Sequence, residues 1–443
     1  MAKTQKNFPQ SVKGMHDILP ADQPLWERAR RQIKEEAEFY GFSRIDTPLL
    51  EQAGLFEATS GASSDLVQKQ MYIFRSGNDR LALRVEGTAP AARAYIEHGM
   101  SHLPQPVKLY YLGPMFRHEQ PQAGRYRQHH QAGFEILGGE PDPVFDAQII
   151  LVCCRLMENL KLDGLSIQIN SIGCNVCRPI YRRRLSDYYR RREICQDCRR
   201  RLTVNPLRLL DCQKAQCQTL KKEAPAVLDS ICPACSGHFK MVLEYLDELD
   251  LAYFLNQQLV RGLDYYNRTV FEIVIDEPAE TAPEVVSGVA PTEEKGGRAG
   301  GLSLAGGGRY DYLLKTLGGE PAPGVGAAIG LERIIEVIKN KNISFSAKTR
   351  QKVFLIHIGD LAKKKSLSLI ELLRRSGLEV TAPLSKESFN AQLRLADKAG
   401  SRLVLIFGQK EAMSDAIIIR DLKTGTQETV MLKDMVEEIK KRL

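Results

Sequence analysis

Apolar runs at strand-like and helix-like spacing succeed one another along this chain, and their order sketches its architecture. YYLGPMF, residues 110–116, has the aromatic and aliphatic content of a buried strand. QAGFEIL, residues 131–137, reads as a second strand returning antiparallel across a polar, Gly-containing loop. AQIILVCCRLMENL, residues 147–160, is an apolar helical stretch in which Cys153 and Cys154 read as core residues. Tyr181, Leu185, Tyr188 and Tyr189 recur at helical spacing and predict an amphipathic helix. In LVRGLDYYNRTVFEIVI, residues 259–275, a Gly-permitted turn precedes a strand; GVGAAIGLERIIEVI, residues 324–338, is a small-residue strand running into a helix with Glu332 and Arg333 in its first turns. From about residue 350, KVFLIH, LEVTA, RLVLIF and DAIIIRD read as strands, with helical patterns at LAKKKSLSLIELLRRS and NAQLRLADKAG between them. A separate three-layer α/β unit follows, behind a linker at 340–350.

The hairpin carries the densest chemistry. Its first strand delivers Arg117 and Glu119 to one end of the loop, where they would share a face. An arginine held this way offers a planar fork of donors to phosphate oxygens, and Arg125 and Arg127 in the loop can close over the remaining phosphates. The chain has no GxxxxGK[ST], so a P-loop does not hold them. The plainer alternative is a charged hairpin with a solvated tip.

Composition bounds the class. The chain has 443 residues, 43% of them hydrophobic, which suffices for two or three domains and excludes a disordered protein. No run of 18 apolar residues occurs and MAKTQKNFPQ lacks the apolar core of a signal peptide, so a cytoplasmic protein without a membrane partner is expected. The formal charge of +8 is moderate but unevenly placed. Residues 178–202 hold ten arginines against three acidic residues, on what reads as the polar face of the amphipathic helix. Phosphate neutralisation on RNA fits such a face; a merely solvated basic helix is the bland reading.

Eight of the ten cysteines fall between 174 and 235, as Cys174 and Cys177, Cys195 and Cys198, Cys212 and Cys217, and Cys232 and Cys235. In a reducing compartment three CxxC pairs favour thiolate coordination of zinc over disulfides, and eight ligands would satisfy two tetrahedral sites. The surrounding sequence has little apolar material for a core of its own, so a structural metal would replace one; reduced, unliganded thiols are the alternative.

Further on, Arg261, Tyr265 and Tyr266 are displayed around a turn. Adjacent tyrosines point to opposite sides of an extended chain, so at most one would line a given pocket. AGGGRYDYL, residues 305–313, lets backbone approach a ligand closely, though glycine runs serve packing and turns as well.

Together these residues resemble the bacterial histidyl-tRNA synthetases, class II aminoacyl-tRNA synthetases, over essentially the whole chain. FRHE with the GRYRQ loop is similar to class II motif 2, LVRGLDYYNRTVFE and GGGRYD to the two histidine-specific signatures, and GLER to motif 3. Trp26 to Pro48, a long amphipathic helix followed by FSRIDTP, resembles motif 1. The resemblance implies an α+β fold: an antiparallel-sheet catalytic domain with helices, in two parts at 1–172 and 256–340, a Cys/Arg-rich insertion at 173–255, and an α/β anticodon-binding domain at 350–443. Residues 276–300, rich in Pro, Gly, Ala and Glu, read as a disordered excursion inside the second catalytic part. HIGD at 357 with KKKS at 363 matches class I signatures only superficially.

Carried over residue by residue, the resemblance implies a histidine–tRNA ligase that uses ATP and Mg2+, pairs as a homodimer through motif 1, and charges tRNA(His). Arg117 would take the α-phosphate of ATP, with Glu119, Arg125, His129 and Arg333 completing the nucleotide site. Glu86 and Thr88 would hold the amino group of L-histidine, Gln131 and Arg261 its carboxylate, and Glu135 and Tyr266 its imidazole nitrogens, with Tyr265 and Tyr310 as walls. Arg117 and Arg261 would be the catalytic cations. A donor or acceptor at each ring nitrogen reads imidazole strictly enough that no editing domain is needed. The chain departs from the family pattern at Val85 (usually proline), His129 (usually a phenylalanine stacked on adenine) and Gln120 (usually arginine). Two other readings use the same residues. One is a synthetase-like regulatory subunit of ATP phosphoribosyltransferase, which the intact arginines and the C-terminal domain disfavour; the other is a zinc-dependent RNA-binding protein with a dead site.

Overall fold

The computed structural model describes residues 9–61, 64, 66–121, 124–212, 214–275, 301–345, 352–383 and 388–443; the expected excursion at 276–300 and the 346–350 part of the expected linker lie outside them. The chain divides into two compact units, Met1–Ile343 and Ser344–Leu443.

The first unit is built on an eight-stranded sheet. Its order is Ser43–Arg44, Val107–Phe116, Gln128–Leu137, Gly324–Gly330, Leu302–Arg309, Asn267–Ile275, Leu165–Ser171 and Tyr253–Leu255, antiparallel except at its two edges. The expected hairpin is its centrepiece: Val107–Phe116 pairs with Gln128–Leu137 from Val107 opposite Leu137 to Phe116 opposite Gln128. The period-two alternation of a strand divides the second of these between two faces. Phe134 sends its ring against Phe42, 5.4 Å between centroids, while His129, Gln131 and Glu135 face the polar side described below.

Helix Val144–Asn159 lies on the sheet against four strands, buries Cys153 and Cys154 as expected, and touches helices Gln23–Phe39 and Pro233–Glu248. The motif 1-like helix buries Trp26, Ala29, Ile33 and Ala37 on one stripe. A small sheet of Leu50–Gln52, Asp79–Leu83 and Ile73–Ser76 stands beside helix Thr88–Glu97, which packs on the hairpin.

The cysteine-rich segment folds as short helices, Cys177–Arg190, Gln196–Val204 and Ala215–Lys222, before Pro233–Glu248. Its apolar face is not isolated. Tyr181, Leu185 and Tyr189 join Leu207, Leu209 and Leu210 and run into one cluster with Val260, Tyr265, Tyr266 and Tyr310. Arg183, Arg190, Arg191 and Arg199 are exposed, but Arg178 turns inward.

The second unit contains the four expected strands, Lys352–His357, Glu379–Thr381, Leu403–Phe407 and Ala416–Asp421, and a fifth, Gln427–Met431, at one edge. Alternation puts Val353, Leu355, Leu403 and Leu405 in one core and Phe354, Ile356, Val404 and Ile406 in another, so helices cover both faces. The fifth strand escaped the sequence reading because its residues are almost all exposed and mostly polar, as an edge strand allows.

Candidate active site

A cavity of about 270 Å³ opens on the polar face of the hairpin. Glu86, Thr88, Arg117, Glu119, Arg125, His129, Gln131, Arg261, Tyr265, Tyr266 and Arg333 all line it, although they come from four separate stretches of chain. A second cavity, of about 890 Å³, shares Arg117, Arg125, Arg261 and Arg333 with the first and adds Arg201, Arg208 and Lys221 from the cysteine-rich segment.

Arg117 lies just past its strand and is aimed by its backbone surroundings: its Nε donates to the Val85 carbonyl over 2.9 Å. The partner is a main-chain oxygen, so valine supplies it as well as the usual proline would. Arg125 is 3.9 Å from the Glu119 carboxylate. Arg127 behaves differently from expectation. It donates to the carbonyls of Glu119 and Lys13, and its backbone amide to Gly14, so it pins the N-terminal segment and does not close over the cavity. Gln120 is exposed.

Arg333, in the first turn of helix Leu331–Asn340, donates to Gly124 in the hairpin loop over 3.0 Å and to Ser303 over 2.6 Å, joining three elements around one cationic group. Its neighbour Glu332 accepts from the His130 amide and ring, 2.8 Å each, which fixes the strand on which His129 stands. Burial, with Arg117 and Arg333 nearby, pushes the His129 ring down to about 3, so it is a neutral, flat surface at physiological pH.

At the other end of the cavity Glu86 caps helix Thr88–Glu97: its two oxygens accept from the amides of Thr88 and Ala89 over 2.6 and 2.8 Å. Burial raises its pKa, against those amides and Arg117. Gln131 presents a buried side-chain oxygen that accepts no hydrogen bond among the described residues. Beneath this layer lies Glu135, fully buried. Thr88 Oγ1 donates to one of its oxygens over 2.7 Å and the Tyr310 hydroxyl to the other, and burial pushes its carboxyl up to about 8.

The tyrosine pair resolves differently from the extended-chain expectation. The strand starts only at Asn267, and Asp264 and Tyr265 form a turn, so Tyr265 and Tyr266 both reach the cavity with rings 4.6 Å apart, backed by Tyr310. Tyr310 and Glu135 belong to the layer behind the cavity wall.

The glycines turn out to make room for side chains. A Cβ at Gly306 would collide with the Arg261 guanidinium, which lies over that residue and pairs with Glu272 on the adjacent strand. One at Gly326 would strike the Glu135 carboxylate, and one at Gly87 or Gly133 the Tyr111 ring. Sequence reading gave no role to Tyr111, Glu272, Glu332 or Arg309; the last is buried against Asp146 and bonds Asp311, next to Tyr310. A charged residue inside an apolar strand, as in RTVFEIVI, was the available signal for Glu272.

The eight clustered cysteines assemble as two tetrads, Cys174, Cys177, Cys232 and Cys235, and Cys195, Cys198, Cys212 and Cys217, with each set of sulfurs mutually within 4.8 Å. Individual Sγ separations are 3.5 Å for Cys174–Cys177, 3.9 Å for Cys174–Cys232, 3.7 Å for Cys177–Cys235 and 3.8 Å for Cys195–Cys212. A tetrahedron with Zn–S bonds of about 2.3 Å has edges of roughly 3.8 Å, close to these separations, so the donor sets suit a tetrahedral zinc ion.

With this geometry in hand, the likeness to known proteins is informative. Residues 14–289 match the family described as Histidyl-tRNA synthetase, and residues 352–442 the Anticodon binding domain. The chain is 43% identical over 437 residues to a histidine–tRNA ligase of Dehalococcoides mccartyi, covering 98% of this chain and 100% of that one. It is similar to the crystal structure of apo histidyl-tRNA synthetase from S. aureus, with a TM-score of 0.78 at 31% identity, covering 97% and 99% of the two chains. A Bacillus halodurans structure described as an ATP phosphoribosyltransferase regulatory subunit/histidyl-tRNA synthetase shares the fold, with a TM-score of 0.60 at 18% identity over 91% of this chain and 99% of that one.

Proposed function

The chain belongs to the histidyl-tRNA synthetase family and is an ATP-dependent histidine–tRNA ligase, and we propose that the cavity of Glu86, Arg117, Gln131 and Arg261 is where it activates L-histidine. The observation that carries this assignment is a single cavity with cations along one wall and Thr88, Gln131, Tyr265 and Tyr266 in its lining, with Glu135 in the layer behind them. Arg117, Arg125 and Arg333 suit a triphosphate, and Glu135 with Tyr266 suits the two nitrogens of an imidazole.

In this reading ATP lies between His129 and Arg333 with its α-phosphate at Arg117 and Mg2+ on the phosphates. Histidine lies with its amino group at Glu86 and Thr88, its carboxylate at Gln131 and Arg261, and its ring against Tyr265 and Tyr266 above Glu135. A carboxylate oxygen attacks the α-phosphorus, the bond to the bridging oxygen breaks, and pyrophosphate leaves with that electron pair. The tRNA 3′ hydroxyl then attacks the acyl carbon and releases AMP. Charge grows on the α-phosphoryl oxygens in the first step, where pre-placed Arg117 and Arg261 would each contribute roughly 3 to 4 kcal/mol to the transition state.

The polynucleotide partner is tRNA(His), approached by the exposed arginines of the cysteine-rich segment. A homodimer is supported by exposed Phe39, Leu49 and Leu50, which flank the edge strand Ser43–Arg44 in sequence. The enzyme works in the cytoplasm, where its thiols stay reduced; among the described residues no helix is long and apolar enough to cross a membrane. Each cysteine tetrad would hold one structural Zn2+, whose bonds would tie the short helices of this segment together beside the core it shares with Tyr265 and Tyr266.

Histidine-dependent ATP/pyrophosphate exchange followed by charging of tRNA(His) tests this function. Both are expected, and Arg261→His should abolish the exchange while leaving the fold intact. A protein that binds histidine yet supports neither step would make it a sensor and not a ligase.

A further inference from the structure

Residues 261–266 form neither helix nor strand, yet Arg261, Tyr265 and Tyr266 supply one side of the cavity. Most of what grips this loop comes from the cysteine-rich segment. Arg178, the residue after Cys177, donates to the Tyr266 carbonyl over 2.8 Å and to the Asp264 carbonyl over 3.5 Å. Between Cys198 and Cys212 lie the other two holds. Asn205 Nδ2 donates to the Asp264 carboxylate over 2.9 Å, and Arg208 Nη2 to the Gly262 carbonyl over 2.9 Å. Arg208 is itself braced over 2.7 Å by Asp211, the residue before Cys212.

The pieces around Asn205 and Arg208 are short: Gln196–Val204 has nine residues, Pro206–Asp211 six and Ala215–Lys222 eight. Helices of that length do not persist alone in water. Their relative placement depends on what ties Cys195, Cys198, Cys212 and Cys217 together at the junctions between them. Likewise Cys174 and Cys177 join the end of strand Leu165–Ser171 to the helix that bears Arg178, and Cys232 and Cys235 lock both to helix Pro233–Glu248.

Resting on the reading of both tetrads as zinc sites, we infer that they are the mounts of the histidine-pocket loop, and that Arg178, Asn205 and Arg208 are positioning residues. They carry the metal-fixed geometry to Arg261, Tyr265 and Tyr266. The nucleotide side has other supports: Arg117 stands at the end of a sheet strand and Arg333 on helix Leu331–Asn340, neither of which contains a cluster cysteine. Disturbing a mount therefore weakens histidine binding and spares ATP. A displacement of about 1 Å at a positioned group suffices for a change of roughly a hundredfold.

The experiment uses the full-length protein, purified without chelator, with zinc measured by elemental analysis and histidine and ATP affinities by calorimetry. The parent should carry two zinc ions per chain. Asn205→Ala and Arg208→Ala should keep both ions, weaken histidine at least about tenfold and leave ATP within about twofold. Cys212→Ser should lose one ion and weaken histidine alike; if it does not fold, the other two variants decide. Unchanged histidine affinity in Asn205→Ala and Arg208→Ala with both zincs in place, or in Cys212→Ser with one, overturns the mounting role and leaves the zinc reading standing. A parent without zinc overturns the zinc reading itself, and the mounts with it.

Discussion

Thr88 Oγ1 donates to Glu135 Oε1 over 2.7 Å, so the helix start that lines the cavity is tied to a carboxyl lying wholly beneath it. Through this bond the floor beneath the proposed imidazole site is set by a buried acid instead of by solvent-facing groups. Tyr310 closes on the other oxygen and Gly326 leaves it room.

That acid makes stability depend on pH. Its pKa rises from 4.5 to about 8 on folding, so the folded chain keeps a proton that the unfolded chain gives up from pH 4.5 upward. The stabilisation is complete below pH 4.5 and is lost as pH rises through 8. Glu135→Gln keeps the neutral shape and removes the titration. Urea denaturation at pH 5, 6.5 and 8 should show the parent losing stability relative to the variant, with a slope approaching about 1.4 kcal/mol per pH unit. Parallel curves would assign the carboxyl an ordinary environment.

His129 gives the opposite sign. Its pKa falls from 6.5 to about 3 on folding, so its contribution is present above pH 6.5 and declines as pH falls toward 3. His129→Phe should be relatively more stable than the parent at pH 5, by about 2 kcal/mol when referenced to pH 7.5. Its KM for ATP should be unchanged or lower, since a phenyl ring offers more stacking area. A rise of tenfold in that KM would mean that His129 does more than offer a flat stacking surface.

Gly306→Ala tests the cradle beneath Arg261. The added methyl meets the tip of a flexible side chain, so the fold should survive while the guanidinium moves. Pyrophosphate exchange should fall by about tenfold to a hundredfold with a cooperative unfolding transition retained. Full exchange activity would mean that the guanidinium position does not matter.

Exposed Arg183, Arg191 and Arg199 should contribute to tRNA binding electrostatically. Replacing all three by glutamine should flatten the dependence of log affinity on log salt by up to about 3 units of slope, and leave exchange without tRNA unaltered. An unchanged slope would make this face merely solvated.

Much of the site was legible because strands advertise themselves. The aromatic run before FRHE and the apolar run after QAG fixed the hairpin, and with it the placement of Arg117, Glu119, His129, Gln131 and Glu135. What the sequence hides is contact across chain distance. Nothing local says that Cys174 and Cys177 share a tetrad with Cys232 and Cys235, or that Gly306 exists to admit Arg261. The tyrosine pair was misjudged because the strand begins one residue after it, and Arg127 because an arginine in a loop can turn to backbone carbonyls as readily as to phosphate. Likewise, the apolar side of the cysteine-rich segment looked too small for a core because its partner surface lies some eighty residues further along, at Tyr265 and Tyr266.

The most direct measurement is a crystal structure with L-histidine and a non-hydrolysable ATP analogue bound together. The imidazole should lie between Tyr266 and the Glu135 layer, with the carboxylate at Arg261 and the α-phosphate at Arg117. Either molecule bound outside the cavity framed by Glu86, Arg117, Gln131 and Arg261 would contradict the account.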